Sequence, residues 1–118
     1  MKQTPPLISF ITICYNGLDD TCMLIESLRD TISSVSYEII VVDNASRQDE
    51  ASLIQERYPF VRTLRSEKNL GFSGGNNLGI QIAQGKYLFL INNDTYLTED
   101  GLPALICLLY TSPSPRDS

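Results

Sequence analysis

The chain has 118 residues, 42% of them hydrophobic, which is enough for one domain with a buried core. Its net charge of -5 argues against nucleic acid as the main partner, because a phosphate backbone attracts a basic surface. The sequence contains no histidine, no C-x-x-C pair and no apolar stretch as long as a membrane span, and Met1–Pro6 lacks the apolar middle of a signal peptide. A Ser-His-Asp or Cys-His catalytic apparatus within this chain is therefore excluded.

Segments typical of strands and helices alternate along the chain. Strands are indicated by short apolar, β-branched runs, and helices by apolar residues at spacings of three and four. The first strand is predicted at Leu7–Cys14, and the helix after it begins near Asp19 and Asp20 and turns Leu24, Ile25, Leu28 and Ile32 inward. A second strand follows at Glu38–Val42, and the next helix opens at Ser46–Asp49, turns Leu53 and Ile54 inward and is closed by Pro59. The remaining predicted elements are an edge strand at Val61–Leu64, a loop at Arg65–Gly75, a helix at Asn76–Gln84 and a strand at Tyr87–Ile91.

This alternation predicts an α/β fold of the Rossmann-like kind, a mostly parallel sheet with helices on both faces. In such a sheet every strand delivers its carboxyl end to the same edge, which we call the carboxyl edge. Polar residues follow all four predicted strands, so the pattern predicts a binding site there. These residues are Tyr15 and Asn16, Asp43 and Asn44, the Arg65–Gly75 loop, and Asn92–Asp94.

The polar cluster after the last predicted strand contains Asn92, Asn93 and Asp94. One carboxylate with neighbouring amide oxygens is a donor set that suits Mg²⁺ or Mn²⁺ held against a diphosphate. The alternative is a polar turn into a helix, because Asn and Asp favour turns and helix caps for local reasons.

The first two strands also end in residues that suit a nucleotide. Asp43 follows an apolar run, where an acidic residue commonly accepts hydrogen bonds from a ribose or a base; the alternative is an N-cap for the next helix. Tyr15 offers a ring that can stack on a nucleobase, although Asn16-Gly17 is a turn signal by itself.

Four glycines lie within the nine residues Gly71–Gly79. Glycine lets backbone N–H groups approach a phosphate, and a helix beginning near Asn76 would aim its positive end at the same place. The alternative is a flexible connection. The segment lacks the Gly-Lys-Ser/Thr of a Walker loop, and it follows the third strand, unlike the dinucleotide fingerprint. We expect Arg65 and Lys68 to lie on the surface and not to contact a phosphate.

Taken together, four motifs resemble those of the family 2 glycosyltransferases, which have the GT-A fold. The resemblance spans residues 7–104, with the motifs in the family's order and spacing. The Gly-Phe-Ser-Gly-Gly-Asn-Asn and Asn-Asn-Asp-Thr versions are most similar to the rhamnosyltransferase-like branch, which uses deoxythymidine- or uridine-diphosphate sugars. The motifs are Thr12–Asn16, Val41–Ser46, Asn69–Asn77 and Leu90–Thr95.

The resemblance implies a nucleotide site at the carboxyl edge. Tyr15 and Asp43 would hold the base and the ribose, with Thr12 and Asn16 lining the same floor. An Arg-Asn pair of many relatives is replaced here by two asparagines, which puts one phosphate contact in doubt. The implied nucleotide-binding residues are Thr12, Tyr15, Asn16, Asp43, Gly71, Asn76, Asn77 and Asn93.

The resemblance also implies a divalent metal, Mg²⁺ or Mn²⁺, and an inverting transfer. Asn92-Asn93-Asp94 matches the family's Asp-x-Asp, so Asp94 is the one charged ligand, and we expect metal to bind weakly until a diphosphate adds oxygens. The metal would stabilise the leaving diphosphate while an acceptor hydroxyl, deprotonated by a carboxylate, attacks the anomeric carbon. Relatives supply that base from the second half of the domain, so no catalytic residue is assigned here.

The expected partners are a nucleotide-diphosphate sugar and a glycan or lipid-linked acceptor. The resemblance places the protein in the cytoplasm, with peripheral attachment of the full-length protein to the inner membrane face as an option. The alternative function is a non-catalytic nucleotide- or sugar-binding module. A response-regulator-like, dinucleotide-binding or nucleotidyltransferase domain is disfavoured, because the acidic cluster or the glycine-rich loop after strand one that each requires is missing.

Two parts of the chain differ in composition. Residues 1–106 are predicted to be the donor-binding half of a glycosyltransferase domain. Residues 107–118 are rich in Ser and Pro, which do not continue a packed helix, and we interpret them as a translated sequencing-adaptor scar; the alternative is a genuine disordered tail. With the second half missing, we expect little transferase activity, one uncovered sheet edge and a tendency to aggregate.

Overall fold

The computed structural model describes residues 5–33 and 35–94, together with the backbone of residues 110 and 111. Strands and helices alternate in the predicted order. The strands are β1 (Ile8–Cys14), β2 (Tyr37–Asp43), β3 (Arg62–Arg65), β4 (Tyr87–Leu90) and β5 (Tyr110–Thr111), and the helices are α1 (Leu18–Thr31), α2 (Glu50–Arg57) and α3 (Gly71–Ile82).

The strands form one sheet in the order β3-β2-β1-β4-β5. The first four are parallel, with Ile8 of β1 opposite Tyr37 of β2 and Tyr87 of β4, whereas β5 runs antiparallel to β4. The predicted parallel sheet is confirmed, and so is the position of β3 at an edge, which its alternating polarity indicated. The division of the chain at residue 106 stays a prediction.

Apolar side chains fill both faces of the sheet. Phe10 of β1 faces one layer, where it packs among residues of α1 and α2, and Ile11 faces the opposite layer, which contains α3. Side chains alternate along a strand, so consecutive residues of β1 supply two separate cores. This arrangement confirms the prediction of helices on both faces. Within the described part of the chain, no helix is long and apolar enough to cross a membrane.

The third helix begins earlier than predicted. The expected loop Arg65–Gly75 ends at Leu70, and α3 starts at Gly71, whose φ of 75° lies in the left-handed region. Gly79 is a packing glycine, because a Cβ on it would lie 2.5 Å from Cγ2 of Ile11. The prediction failed here because glycine was taken as a loop signal, whereas this helix needs it to lie close to the sheet.

The second helix differs from its prediction in two details. It begins at Glu50, and the Asp49 side chain caps it by accepting a hydrogen bond from the Ser52 N–H at 3.0 Å. Leu53 was expected to face inward and is 39% exposed. Ala51 and Ile54 are buried, so they form the core-facing side of this eight-residue helix, and Leu53 lies outside it.

Candidate nucleotide site at the carboxyl edge

The parallel register brings the ends of four strands to one edge of the sheet. Cys14 pairs with Asp43, and Asp43 pairs with Arg65, so the first three strands end level with one another. The strand β4 ends at Leu90, which is opposite Ile11, and the chain continues past that edge to Asp94. The carboxylates of Asp43 and Asp94 therefore belong to the same edge.

Asp43 is fully buried and has both carboxylate oxygens in hydrogen bonds. Its Oδ1 accepts from the Ser46 N–H at 2.9 Å, and its Oδ2 accepts from the N–H groups of Glu50 at 2.9 Å and Ala51 at 3.2 Å. Its Oδ2 also accepts from the guanidinium of Arg65. The carboxylate therefore holds together the loop after β2 and the first turn of α2, a role close to the N-cap alternative.

The turn after β1 is attached to the loop after β2 through side chains. The N–H of Asn16 donates to Oγ of Ser46 at 2.9 Å, and Oδ1 of Asn16 accepts from the Arg47 N–H at 2.8 Å. The next N–H, that of Gly17, donates to Oε1 of Glu50 at 3.2 Å. Asn16 has a φ of 53°, a left-handed conformation that asparagine tolerates better than most residues.

Asn44 attaches the loop after β2 to the start of α3. Its Oδ1 accepts from the Leu70 N–H at 2.9 Å, and its Nδ2 donates to Oδ1 of Asn69 at 3.2 Å and to the carbonyl of Gly71 at 3.1 Å. Asn44 is buried, so these bonds are shielded from water. Three separate loops of the carboxyl edge are thus linked by side chains of residues 43–50, which we call the β2 rim.

A cavity of about 480 Å³ opens beside the β2 rim, lined by Asn16, Arg47, Gln48 and Glu50. A neighbouring hollow of about 450 Å³ shares Asn16, Gln48 and Glu50 and extends along the start of α1. Volumes of this size are typical of small-ligand sites. The ring of Tyr15, which is 53% exposed, belongs to the same turn as Asn16.

The residues after β4, 91–94, which we call the β4 rim, are arranged differently. Asn92 and Asp94 are exposed, whereas Nδ2 of Asn93 donates to the Thr21 hydroxyl of α1 at 3.2 Å. Amide and carboxylate oxygens are the ligands that Mg²⁺ and Mn²⁺ prefer, so Asn92 and Asp94 fit a divalent metal in donor type.

A second group of possible metal ligands is buried: Cys14, Asp43 and Glu50 have ligand atoms within 4.8 Å of one another. The carboxylates of Asp43 and Glu50 already accept hydrogen bonds from the protein. Burial, reinforced by those two carboxylates, raises the pKa of the Cys14 thiol well above its ordinary value. Because both carboxylates already accept hydrogen bonds from the protein, this cluster fits an internal hydrogen-bonded core better than a metal centre.

The remaining predicted residues lie at different depths. Thr12 is buried in β1, and the Nδ2 of Asn76 is buried in α3. Among the described residues, neither the Thr12 hydroxyl nor this Nδ2 has a hydrogen-bond partner. Asn77 and Gly71 are exposed, and a Cβ on Gly71 would meet no atom within 4 Å. A buried amide without a partner is costly, so the Nδ2 of Asn76 is suited to donate a hydrogen bond to a ligand.

Four residues that organise this edge were given no such role from the sequence. Ser46 and Asn44 follow a strand, where short polar side chains commonly bond to nearby backbone, and that signal was available. Glu50 and Arg65 gave no comparable signal, because an isolated charged residue usually lies on the surface. Arg65 is exposed, as expected, but it also bonds to Asp43 and to two backbone carbonyls, which the sequence did not indicate.

Comparison with known families decides the relationship. The sequence profile described as glycosyl transferase family 2 matches residues 9–113. The chain belongs to this family. The likeness to family 2 glycosyltransferases drawn from the motifs is confirmed.

Several curated relatives carry glycosyltransferase or polysaccharide names. The chain is 35% identical over 99 residues to the uncharacterized glycosyltransferase YibD of Escherichia coli, covering 80% of this chain and 28% of the relative. It is 29% identical over 102 residues to the succinoglycan biosynthesis protein ExoO of Rhizobium meliloti, with 86% and 29% covered. Chondroitin synthase of Escherichia coli is 30% identical over 107 residues, with 87% and 15% covered.

The fold is similar to that of S. aureus TarS. The crystal structure of TarS 1–349 in complex with UDP gives a TM-score of 0.71 at 24% identity and covers 86% of this chain and 31% of TarS. A TarS 1–349 complex with UDP-GlcNAc gives a TM-score of 0.70 at 23% identity, with 86% and 30% covered. The GT-A fold prediction is confirmed. The chain spans less than a third of the length of each of these relatives.

Proposed function

We propose that this chain binds a nucleotide-diphosphate sugar as part of an enzyme that transfers the sugar to an acceptor hydroxyl. The observation that carries the proposal is the meeting, at one sheet edge, of the Tyr15–Asn16 turn, the β2 rim and the β4 rim. Family membership and the nucleotide complexes of TarS support the same conclusion.

The nucleoside is proposed to lie over the Tyr15–Asn16 turn and the adjoining cavity. The exposed ring of Tyr15 supplies a stacking surface, and Asn16 supplies polar atoms at the cavity wall. Asp43 and Thr12 are proposed to support the Tyr15–Asn16 turn and the cavity wall from the interior of the protein. Asp43 has no exposed surface, so its contribution passes mainly through the loop that it holds.

The diphosphate is proposed to lie near the first turns of α3. Gly71 leaves open space around its backbone, and the N–H groups at the start of a helix favour an anion. The buried Nδ2 of Asn76 has no hydrogen-bond partner within residues 5–33 and 35–94, and so it supplies a donor. Asn77 is exposed and adds a second amide, which offsets in part the lack of an arginine at this place.

A divalent cation, Mg²⁺ or Mn²⁺, is proposed to bind Asp94 and Asn92, with Asn93 holding the turn against α1. When bound, such a cation neutralises negative charge on a leaving diphosphate. Because Asp94 would be the one carboxylate ligand, affinity for the cation should depend on the nucleotide.

The finer parts of the function rest on the resemblance to the family. We propose transfer of a hexosyl or deoxyhexosyl group with inversion, to a glycan or a lipid-linked acceptor at the cytoplasmic face of a membrane. The catalytic base would come from a part of the domain outside this chain, so the 118-residue chain should bind a donor without transferring it.

The test is isothermal titration calorimetry of the 118-residue chain with UDP, with and without MnCl₂. We expect binding that MnCl₂ strengthens by about tenfold, since a metal bridging carboxylate and diphosphate adds on the order of 1 kcal/mol or more. Asp94→Ala should remove the MnCl₂-dependent gain and keep the metal-independent part.

The matched control is Asp30→Ala, because Asp30 is an exposed aspartate at the end of α1 whose side chain pairs with the exposed Arg29. It should bind UDP as the unaltered chain does, with the same response to MnCl₂. Absence of UDP binding by the unaltered chain under both conditions would contradict the proposed function, and an Asp94→Ala variant that still responds to MnCl₂ would contradict the metal site.

A further inference from the structure

Arg65 stands over the buried carboxylate of Asp43. It is the last residue of β3, its side chain is 35% exposed, and its Nη1 donates to Oδ2 of Asp43. A carboxylate without exposed surface needs a counter-charge, and within the described part of the chain the ion pairs of Asp43 involve Arg65 alone.

The same guanidinium holds the loop after β2. Its Nη1 donates to the carbonyl of Gln48 at 3.0 Å, and its Nη2 donates to the carbonyl of Ser46 at 3.0 Å. The guanidinium presents five N–H donors in a planar fork, so it reaches a carboxylate and two carbonyls at once. Arg65 therefore fixes residues 46–48 from one side, while Asn16 bonds to Ser46 and Arg47 from the other.

Residues 46–48 depend on such polar contacts for their conformation. Arg47 and Gln48 are exposed, so apolar burial does not hold them. The residue just before the loop, Ala45, has a φ of 70°, which is unfavourable for a residue with a Cβ. Arg47 and Gln48 line the 480 Å³ cavity, so the shape of that cavity depends on the loop.

We propose that Arg65 is a positioning residue of the nucleotide site, which keeps the 46–48 loop in the conformation that receives the nucleoside. This inference rests on the proposed function. Without Arg65 the nucleotide itself would have to order the loop. The entropic cost of fixing two or three backbone residues would then weaken nucleotide binding.

A second arginine of the same strand provides a matched control. Arg62, at the beginning of β3, pairs with the partly buried Glu38 at 2.9 Å and also donates to the carbonyl of Ile82 at 2.8 Å. It makes the same kind of ion pair and carbonyl contact at the opposite end of the strand, away from the cavity. Arg62→Gln and Arg65→Gln should therefore both destabilise the fold, and only the second should affect the nucleotide.

The experiment compares Arg65→Gln, Arg65→Lys and Arg62→Gln by UDP titration and by hydrogen exchange of the Arg47 N–H. Lysine keeps a cation beside Asp43 and so keeps the fold, but its single ammonium does not bridge both loop carbonyls. We expect about tenfold weaker UDP binding in both Arg65 variants, with faster exchange at Arg47, and neither change in Arg62→Gln.

The outcomes separate this inference from the function on which it rests. If the unaltered chain binds UDP and Arg65→Lys binds it equally well with unchanged exchange at Arg47, the positioning role is overturned and the nucleotide site stands. Equal weakening by Arg62→Gln would also overturn it, since the effect would then be one of general stability. If the unaltered chain does not bind UDP, both proposals fail together.

Discussion

The β2 rim and the β4 rim are built from similar residues and use them in opposite ways. In the β2 rim, Asp43 and Asn44 are buried and their side chains bond to the protein itself. In the β4 rim, Asn92 and Asp94 are exposed at the same edge of the sheet. A polar residue after a strand is therefore a buried anchor in one region and an exposed side chain in the other.

The difference separates stability from binding. Removing an anchor in the β2 rim leaves buried polar groups unsatisfied, which is costly, whereas removing an exposed side chain in the β4 rim leaves none. Substitutions in the two rims should therefore differ in their effect on unfolding, and each prediction below challenges or refines that contrast.

The largest effect is expected from Asp43→Ala. It removes the acceptor of three backbone N–H groups and leaves the Arg65 guanidinium without its carboxylate, so we expect a loss of about 3–5 kcal/mol in the free energy of unfolding. Urea denaturation followed by circular dichroism measures it, with Asp30→Ala as the exposed control. A loss close to that of the control would show that the β2 rim does not depend on this carboxylate.

Asn44→Ala should follow, with a loss of about 1–3 kcal/mol, because it removes the side-chain acceptor of the Leu70 N–H and one donor to the Gly71 carbonyl. Amide exchange at Leu70 should accelerate more than exchange within β1. If exchange at Leu70 were unchanged, the start of α3 would be held by something other than Asn44.

Alkaline pH should weaken the fold through buried acids. Burial raises the pKa of Cys14 and, with a hydrogen bond to Glu26, that of Tyr58, from ordinary values of 9.0 and 10.0. Above those values the unfolded chain releases protons that the folded chain keeps, so the free energy of unfolding falls as pH rises, by up to about 1.4 kcal/mol per pH unit for each group.

Urea midpoints measured from about pH 8 to pH 10 test this dependence. In Cys14→Ala the urea midpoint should fall less steeply with pH above pH 9, because the buried thiol beside the β2 rim is gone. A slope identical to that of the unaltered chain would exclude Cys14 as a contributor.

The smallest effect on stability is expected from Asp94→Ala. Its carboxylate is exposed, so the free energy of unfolding should stay within about 0.5 kcal/mol of the unaltered value. The same variant should lose the MnCl₂-dependent part of UDP binding. A large destabilisation would place Asp94 among the anchors and remove the contrast between the rims.

The sequence predicted the elements well where hydrophobic pattern decides them. All four parallel strands, the edge position of β3 and the carboxyl edge follow from apolar runs and their order. The start of α3 did not follow, because the glycines that close packing requires look like loop glycines in sequence. Arg65 was also missed, because its three partners, Asp43, Ser46 and Gln48, are distant in sequence and no local pattern relates them to it.

The predicted site residues differ in how far sequence could place them. The parallel topology alone brings Tyr15, Asn16 and Asp94 to one edge. Depth was not predictable, because an aspartate that ends a strand looks the same whether it is buried like Asp43 or exposed like Asp94. The difference arises from packing by α2 and from the guanidinium of a later strand.

The contact of Gly79 with Ile11 has a consequence for how such a domain can evolve. The backbone of α3 lies directly on the side chain of Ile11 there, so the helix contributes no side chain of its own that could adjust its height above the strands. We therefore expect that a lineage adapting to a bulkier or smaller donor does not shift this helix, since core and helix would have to change together. Diversity in donor choice should accumulate instead in the short segments at the helix ends, where a single replacement alters the surface and leaves the interior as it was.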